Sequence, residues 1–182
     1  GILYGEADPA GRLPFTWPKK LEDSPSHRLA TQDLDTVNYE EELMVGYRYF
    51  DTQEVEPQFP FGYGLSYTTF RYGRLRVSEK NGKVRGRIEI RNTGDRDGSQ
   101  TVQIYVRPER PSVTRPVHEL KAFEKLFLRA GERRTVEFTL PARAFSYYSE
   151  TEGRWVEDPG PYTIEAAASS RDIRSTAQIN IK

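Results

Sequence analysis

The sequence predicts a mainly β protein: a sandwich of two antiparallel sheets, preceded by an irregular arm rich in aromatic residues. Three observations carry this. From about Thr68 onward, short runs alternate apolar and polar residues with a period of two, the pattern of a strand with one buried face. Turn signals punctuate these runs roughly every 8 to 15 residues. Before Thr68 no periodicity is sustained, yet 13 of the 22 aromatic residues lie at or before Tyr72.

The arm is read first. Ile2, Leu3 and Tyr4 followed by Gly5 fit the last turn of a helix closed by a glycine cap. Asp8-Pro9-Ala10-Gly11 is turn chemistry, because proline presets one dihedral and glycine permits a positive one. The stretch from Arg12 to Pro18 is extended and bracketed by prolines, and a polar passage runs from Lys19 to Val37. Then come Tyr39 to Phe50 and the run FPFGYGLSYTTF, with Phe59, Phe61, Tyr63, Tyr67 and Phe70 inside twelve residues. A segment so irregular cannot cover its own rings, and one so aromatic is a poor candidate for disorder. It is expected to wrap over another surface.

The strands follow in order. Val84, Gly86, Ile88 and Ile90 alternate with Arg85, Arg87, Glu89 and Arg91. A loop from Asn92 to Gly98 leads to Val102, Ile104 and Val106, which alternate with Thr101, Gln103 and Tyr105. Leu120 to Leu128 forms another strand, closed by the Ala130-Gly131-Glu132 turn. Val136, Phe138 and Leu140 face one way, and Thr135, Glu137 and Thr139 the other. Asp158-Pro159-Gly160 turns the chain into Tyr162, Ile164, Ala166 and Ala168, and Ala177, Ile179 and Ile181 end it. About seven strands are expected, with enough chain for an independent core. The lack of a Cys…Trp…Cys pattern favours a fibronectin III-like sandwich over an antibody-like one.

The totals narrow the function. Net charge is zero, from 27 basic and 27 acidic residues, which gives no overall footprint for nucleic acid or an anionic membrane. No window reaches the roughly 18 apolar residues a membrane helix needs. Cysteine is absent, which excludes disulfides, thiolate chemistry and thiolate metal sites. The chain opens GILYGEADP, with neither Met nor a leader pattern, and is expected to be an internal segment of something longer.

Candidate chemistry is thin. Glu40, Glu41 and Glu42 form a carboxylate cluster, but three in a row on a polar stretch point different ways and are expected to be solvated. Asn92, Asp95 and Asp97 resemble part of a calcium loop without its closing Glu, so a turn is the better account and no metal site is expected. His27 and His118 each lack a nearby ligand partner, and no Gly-x-Ser-x-Gly elbow is present. Gly62-Tyr63-Gly64 lacks the third glycine of a phosphate loop. Tyr147, Tyr148 and Trp155 could stack on sugar rings, although packing within the sandwich is the commoner role. Spacing alone yields no catalytic site, no cofactor and no assigned substrate-binding residue.

Motifs in order say more. GEADPAGRLPFTWP (Gly5 to Pro18), GYRYFD (Gly46 to Asp51) and FPFGYGLSYTTF (Phe59 to Phe70) resemble the C-terminal part of glycoside hydrolase family 3 enzymes of the β-glucosidase and β-xylosidase type. The resemblance continues from Gln100 to Leu140 and from Trp155 to Arg174, in what looks like that family's fibronectin III-like domain, also described as immunoglobulin-like. It covers essentially the whole chain. It implies residues 1–66 as the tail of an α/β sandwich domain plus a wrapping connector, and residues 67–182 as the β-sandwich.

That family hydrolyses β-glycosides with retention, using one carboxylate as nucleophile and another as acid/base. Both belong to earlier domains, and neither motif occurs here, so the resemblance assigns no catalytic residue. Glu6, Asp8, Glu40 and Asp51 fall in the matching connector, but not at those positions. The implied role is structural, within an enzyme acting on terminal β-D-glucosides or similar β-glycosides. The alternatives are a carbohydrate-binding or substrate-anchoring module and, least supported, a self-sufficient hydrolase. The implied partner is the remainder of the same glycosidase, in cis or as a separate chain. The arm is expected to dock chiefly on that remainder rather than on the sandwich, with the aromatic run buried between the two.

Overall fold

The computed structural model describes residues 1–27 and 38–182. The last part of the polar passage ending at Val37 lies outside the described residues. Two four-stranded antiparallel sheets face each other. In the first, β3 (Lys83–Asn92) is central: β6 (Arg133–Leu140) pairs along one edge, and β1 (Phe70–Tyr72) and β2 (Arg76–Lys80) lie end to end along the other. In the second, the order is β10 (Asp172–Ile181), β9 (Gly160–Ser169), β4 (Gly98–Pro108), β5 (Glu119–Leu128). A separate hairpin, β7 (Ser146–Ser149) with β8 (Arg154–Glu157), completes the strands.

The predicted alternation of β3 holds residue by residue. Val84, Gly86, Ile88, Ile90 and Asn92 are buried, and every residue between them is exposed. These side chains meet Val102, Ile104, Val106, Leu126, Leu128 and Ile164 of the facing sheet to form the core. Gly86 is the one gap in the row, and Phe138 of β6 fills it: a Cβ there would lie 2.1 Å from the Phe138 ring. Tyr162 closes one end, donating its hydroxyl to the carbonyls of Asp158 (2.6 Å) and Phe145 (3.0 Å). This pins the strand entry to the chain just before it, as a tyrosine corner does.

Two details differ from the sequence reading. The eight sheet strands exceed the seven expected, because the short edge strand β2 carries only Val77 inward and shows little periodicity. Tyr147, Tyr148 and Trp155 belong to the β7–β8 hairpin rather than to the packing between sheets.

A third difference decides where function is sought. On β4, Gln103 and Tyr105 point away from the core yet are buried, and so do Thr163, Glu165 and Ala167 on β9. The outer face of this sheet is covered along β4 and β9, and the arm covers it there. The arm therefore docks on the sandwich itself through its inner face. Period two reports which way a residue faces, not what the rest of the chain lays over it.

Candidate functional site at the arm–sandwich junction

The arm is built from two paired extended segments and one short helix. Trp17 N–H donates to Phe59 O (2.8 Å), Leu13 N–H to Tyr63 O (2.9 Å), and Gly62 N–H to Leu13 O (2.8 Å). The proline-bracketed stretch and the aromatic run thus satisfy each other's backbone, which explains how a segment without periodicity stays extended. Its start is tied down by Asp8, whose carboxylate accepts from Ser66 Oγ, Tyr67 N–H and Ser99 N–H at 2.7 to 3.1 Å. Ile2–Tyr4 forms a 3₁₀ turn ended by Gly5 at φ 74°, matching the capped turn read from the sequence. Arg96 donates to the Gly5 carbonyl and lies 5.5 Å over the Tyr67 ring.

The glycines of the aromatic run serve close approach. Gly62 has φ 78°, and a Cβ on it would sit 2.2 Å from Gln103 Oε1. Gln103 donates to the carbonyls of Gly62 (3.2 Å) and Ala168 (2.9 Å) and accepts from Tyr105 Oη (2.7 Å). Gly64 lies against the Gly11 carbonyl in the same way.

Helix α1 (Tyr47–Thr52) seats the rest. Tyr47 packs against Phe61, Tyr105 and His118, with ring centroids at 4.9, 5.8 and 6.0 Å, and its hydroxyl accepts from Leu120 N–H. Phe50 is fully covered, and Asp51 beside it faces a buried ionic centre. There, His118 stacks on Tyr105 at 4.6 Å, with Nδ1 2.7 Å from Glu165 Oε2 and Nε2 3.2 Å from Asp51 Oδ2. The second Asp51 oxygen accepts from Arg171 Nε at 2.7 Å. Arg171 also donates to Glu56 and to the carbonyls of Phe50 and Val55, tying the C-terminal end of α1 and the chain just after it to the β9–β10 turn. Arg107 Nε approaches Glu165 at 3.6 Å.

Two carboxylates on opposite nitrogens require both nitrogens to donate, so His118 is an imidazolium. Burial alone lowers its pKa, but the hydrogen bonds to Asp51 and Glu165 outweigh that and hold it above the ordinary histidine value. For Asp51, burial pushes the pKa up, and the bonds from His118 and Arg171 overcome this and leave it lowered. Desolvation forces the Tyr105 phenol strongly upward, so it stays neutral beside the ions. A second cluster lies next door: Glu119 holds Arg48, Arg115 and Lys121, each at 3.1 to 3.2 Å. Arg48 again brings α1 to the sandwich.

Chemically, this centre is arranged as a clamp. The oxygens of Asp51 and the nitrogens of His118 are all committed, and both side chains are buried. A glycosidase pair instead faces a sugar-sized space with about 5 to 9.5 Å between carboxyl groups.

The sequence-predicted candidates sit elsewhere. Glu40 and Glu42 are exposed, and Glu41 is half-buried, accepting from Ser26 Oγ. His27 ends a 3₁₀ turn away from the clamp's bonds. Asn92 spends its amide on Arg96 O and Leu128 O and its oxygen on Thr68 Oγ1 and Gly94 N–H, while Asp97 caps Ala130 N–H, so this loop is a turn. Tyr148 and Trp155 meet edge to face at 70°, and Arg143 covers Trp155 at 4.2 Å, so they form no flat platform for a sugar.

His118 is the residue the sequence misjudged. It lacks a neighbour in sequence, but the fold brings it Asp51 from 67 residues away and Glu165 from 47. One signal was present: Glu165 is a lone acid in the otherwise apolar or small Tyr162 to Ala168 run, with Ala167 on its own face.

Comparison with known proteins places this architecture. The model of the glycosyl hydrolase family 3 C-terminal domain matches residues 1–67, and that of the fibronectin type III-like domain matches residues 100–170. Thermostable beta-glucosidase B of Acetivibrio thermocellus is 45% identical over 176 residues, covering 94% of this chain and 23% of that protein. An exo-alpha-(1->6)-L-arabinopyranosidase of Bifidobacterium breve is 40% identical over the full chain, which spans 24% of its length. Among solved structures, the GH3 beta-glucosidase of Bifidobacterium adolescentis superposes with a TM-score of 0.95 at 40% identity, covering 98% of this chain and 27% of that one. The chain thus spans about a quarter of the length of the relatives it matches. It belongs to glycoside hydrolase family 3, as a C-terminal portion carrying the family's fibronectin type III-like domain.

Proposed function

We propose that the complete protein is a retaining β-glycosidase acting on terminal β-D-glucosides or related β-glycosides, and that this segment is its structural keystone rather than its catalyst. Residues 1–66 are the tail of the α/β domain and its connector, and residues 67–182 are the sandwich. What supports that division is the first ladder pairing, which begins at Phe70. The nucleophile and the acid/base lie outside the segment, and the partner is the remainder of the same enzyme.

The observation that carries the reading is that the arm has two working faces. Its inner face is locked to the sandwich by Asp51, His118, Glu165 and Arg171. Its outer face presents Phe15 and Trp17, both about half exposed, with Leu65 beside a groove of about 360 Å³ lined by Leu13, Phe59 and Tyr63. Exposed rings clustered at one place mark a surface made to be covered. The remainder of the enzyme is the occupant this placement favours, because Trp17 and Phe59 lie within residues 1–67, the part that matches the family's C-terminal domain.

Hydrolysis of an aryl β-glucoside tests it. The segment alone is expected to be inactive, the complete protein active, and a mixture of the segment with its N-terminal remainder to regain activity. Turnover by the isolated segment would overturn the reading and direct attention back to Glu40, Glu41, Glu42 and Asp51.

A further inference from the structure

The two outer faces of the sandwich are treated differently. The arm lies over the β10-β9-β4-β5 sheet, whereas the outer face of the β1/β2-β3-β6 sheet is bare and basic. Register puts Arg71, Arg91 and Arg133 in one cross-strand row and Arg76, Arg87 and Glu137 in a second. Ser78, Arg85 and Thr139 form a third row, and Lys80 faces Lys83 at the hairpin end. All are exposed. With Glu89, which lies 3.9 Å from Arg133, the face holds eight basic and two acidic residues, in a chain whose total charge is zero.

Like charges directly opposite each other weaken a sheet. Solubility alone is served by mixing the signs, so segregation at this cost calls for a ligand of opposite charge. The middle rows also surround an open depression of about 630 Å³, lined by Arg76, Ser78, Arg85, Arg87, Glu137 and Thr139 together with Val77, Gly86 and Phe138 between them.

We propose that this face binds a polysaccharide bearing carboxylate groups, such as a polyuronate chain. Six of the eight cations are arginines, whose planar forks match carboxylates in pairs. Strands about 4.8 Å apart, with same-face residues about 7 Å apart along each strand, make a grid that an extended anionic chain can cross. Ser78, Thr135 and Thr139 place hydroxyls among the guanidinium groups, suited to sugar hydroxyls. None of the exposed large apolar side chains among the described residues lies on this face. It therefore lacks the aromatic platform that stacked bases use and the apolar wedge that a membrane surface uses. The face is on the side of the sandwich opposite the clamp, so the inference stands apart from the hydrolytic reading.

Native gel electrophoresis of the complete protein tests it, in gels containing polygalacturonate, neutral xylan or no polymer. Polygalacturonate is expected to retard the protein and xylan not to, with retardation fading as salt rises. The triple variant Arg85→Gln, Arg87→Gln, Arg91→Gln should bind roughly tenfold more weakly. A charge-matched control, Lys20→Gln, Arg110→Gln, Lys125→Gln, should bind as the parent does. Thermal unfolding and glycoside hydrolysis serve as checks on folding. No retardation of the parent overturns the proposal. So does an equal loss in both triples, which means bulk charge only, or tighter retention by duplex DNA or phosphatidylglycerol vesicles than by polygalacturonate.

Discussion

Asp51 of the arm and His118 of the sandwich stand 3.2 Å apart, 67 residues distant in sequence, with both side chains buried. A charge pair in that position is not a surface ornament. Each ion has lost its water, and each depends on the other and on Glu165 and Arg171 for compensation.

Removing one member should therefore cost more than an exposed ion pair would. Asp51→Ala leaves the His118 and Arg171 cations facing each other with one carboxylate fewer. The expected loss is about 3 to 5 kcal/mol of unfolding free energy. It should register first as protease cleavage near Val55, where the carbonyl held by Arg171 lies. An unchanged melting curve with an intact arm would show that the clamp is not what docks it.

The same pair sets a pH window. His118 has a raised pKa in the folded protein, so its contribution is complete below its ordinary value of 6.5 and is lost as pH climbs through the raised one. Asp51 has a lowered pKa, so its contribution is complete above 3.8 and is lost as pH falls through the lowered one. Glu165, Arg171, Arg107 and the neutral phenols of Tyr47 and Tyr105 complete the surroundings. Docking should be firmest between these two limits. The melting-temperature difference between the parent and His118→Gln should be flat across that window and shrink as the pH climbs through the raised histidine pKa. A difference that stays constant into the alkaline range contradicts a charged histidine.

Gly62 tests whether the aromatic run must lie so close to β4. In Gly62→Ala the new methyl meets Gln103, and φ 78° disfavours any side chain. Losing the Gln103 bonds as well gives an expected destabilisation of about 2 to 4 kcal/mol. Gly11→Ala is the control, because nothing lies within 4 Å of its Cβ position and its φ is not positive. Chemical denaturation of both variants, with hydrogen exchange at Phe61 and Ser170, reads the result. The Ser170 amide donates to Phe61 O and should lose protection only in the Gly62 variant.

The sandwich was legible in the sequence because most of its strands, though not the short edge strands β1 and β2, carry their own evidence. Val84, Ile88 and Ile90 announce a buried face without reference to anything remote, and the structure repeats that pattern. The clamp was not legible, because its members are single residues joined only by the tertiary path. His118 carries no local signal, and Glu165 and Gln103 read as solvent-facing until a second layer is laid over them. The arm's aromatic density did announce that layer, though not which side of it would meet the sandwich. The basic outer face was hidden for a different reason: Arg71, Arg91 and Arg133 come from three strands, and the chain-wide charge sums to zero.

The outer face of the arm gives the sharpest separation between a free-standing module and a piece of a larger enzyme. Phe15 and Trp17 are 50% and 51% exposed in this segment, with rings 5.7 Å apart. Replacing both by Ser also removes the half of each ring that is buried in the segment, so the isolated segment should lose some stability of its own. In the complete enzyme the remaining half of each ring is expected to be covered. Burying about 100 Å² more of each contributes about 2.5 kcal/mol per ring at ~25 cal/mol per Å². The double variant should then destabilise the complete enzyme by about 5 kcal/mol more than it does the segment, with the sandwich released early on heating. Calorimetry of the four proteins decides the matter. Equal shifts in segment and enzyme would mean that the rings serve only the arm itself, and the outer face would lose its assignment as the seat of the catalytic domains.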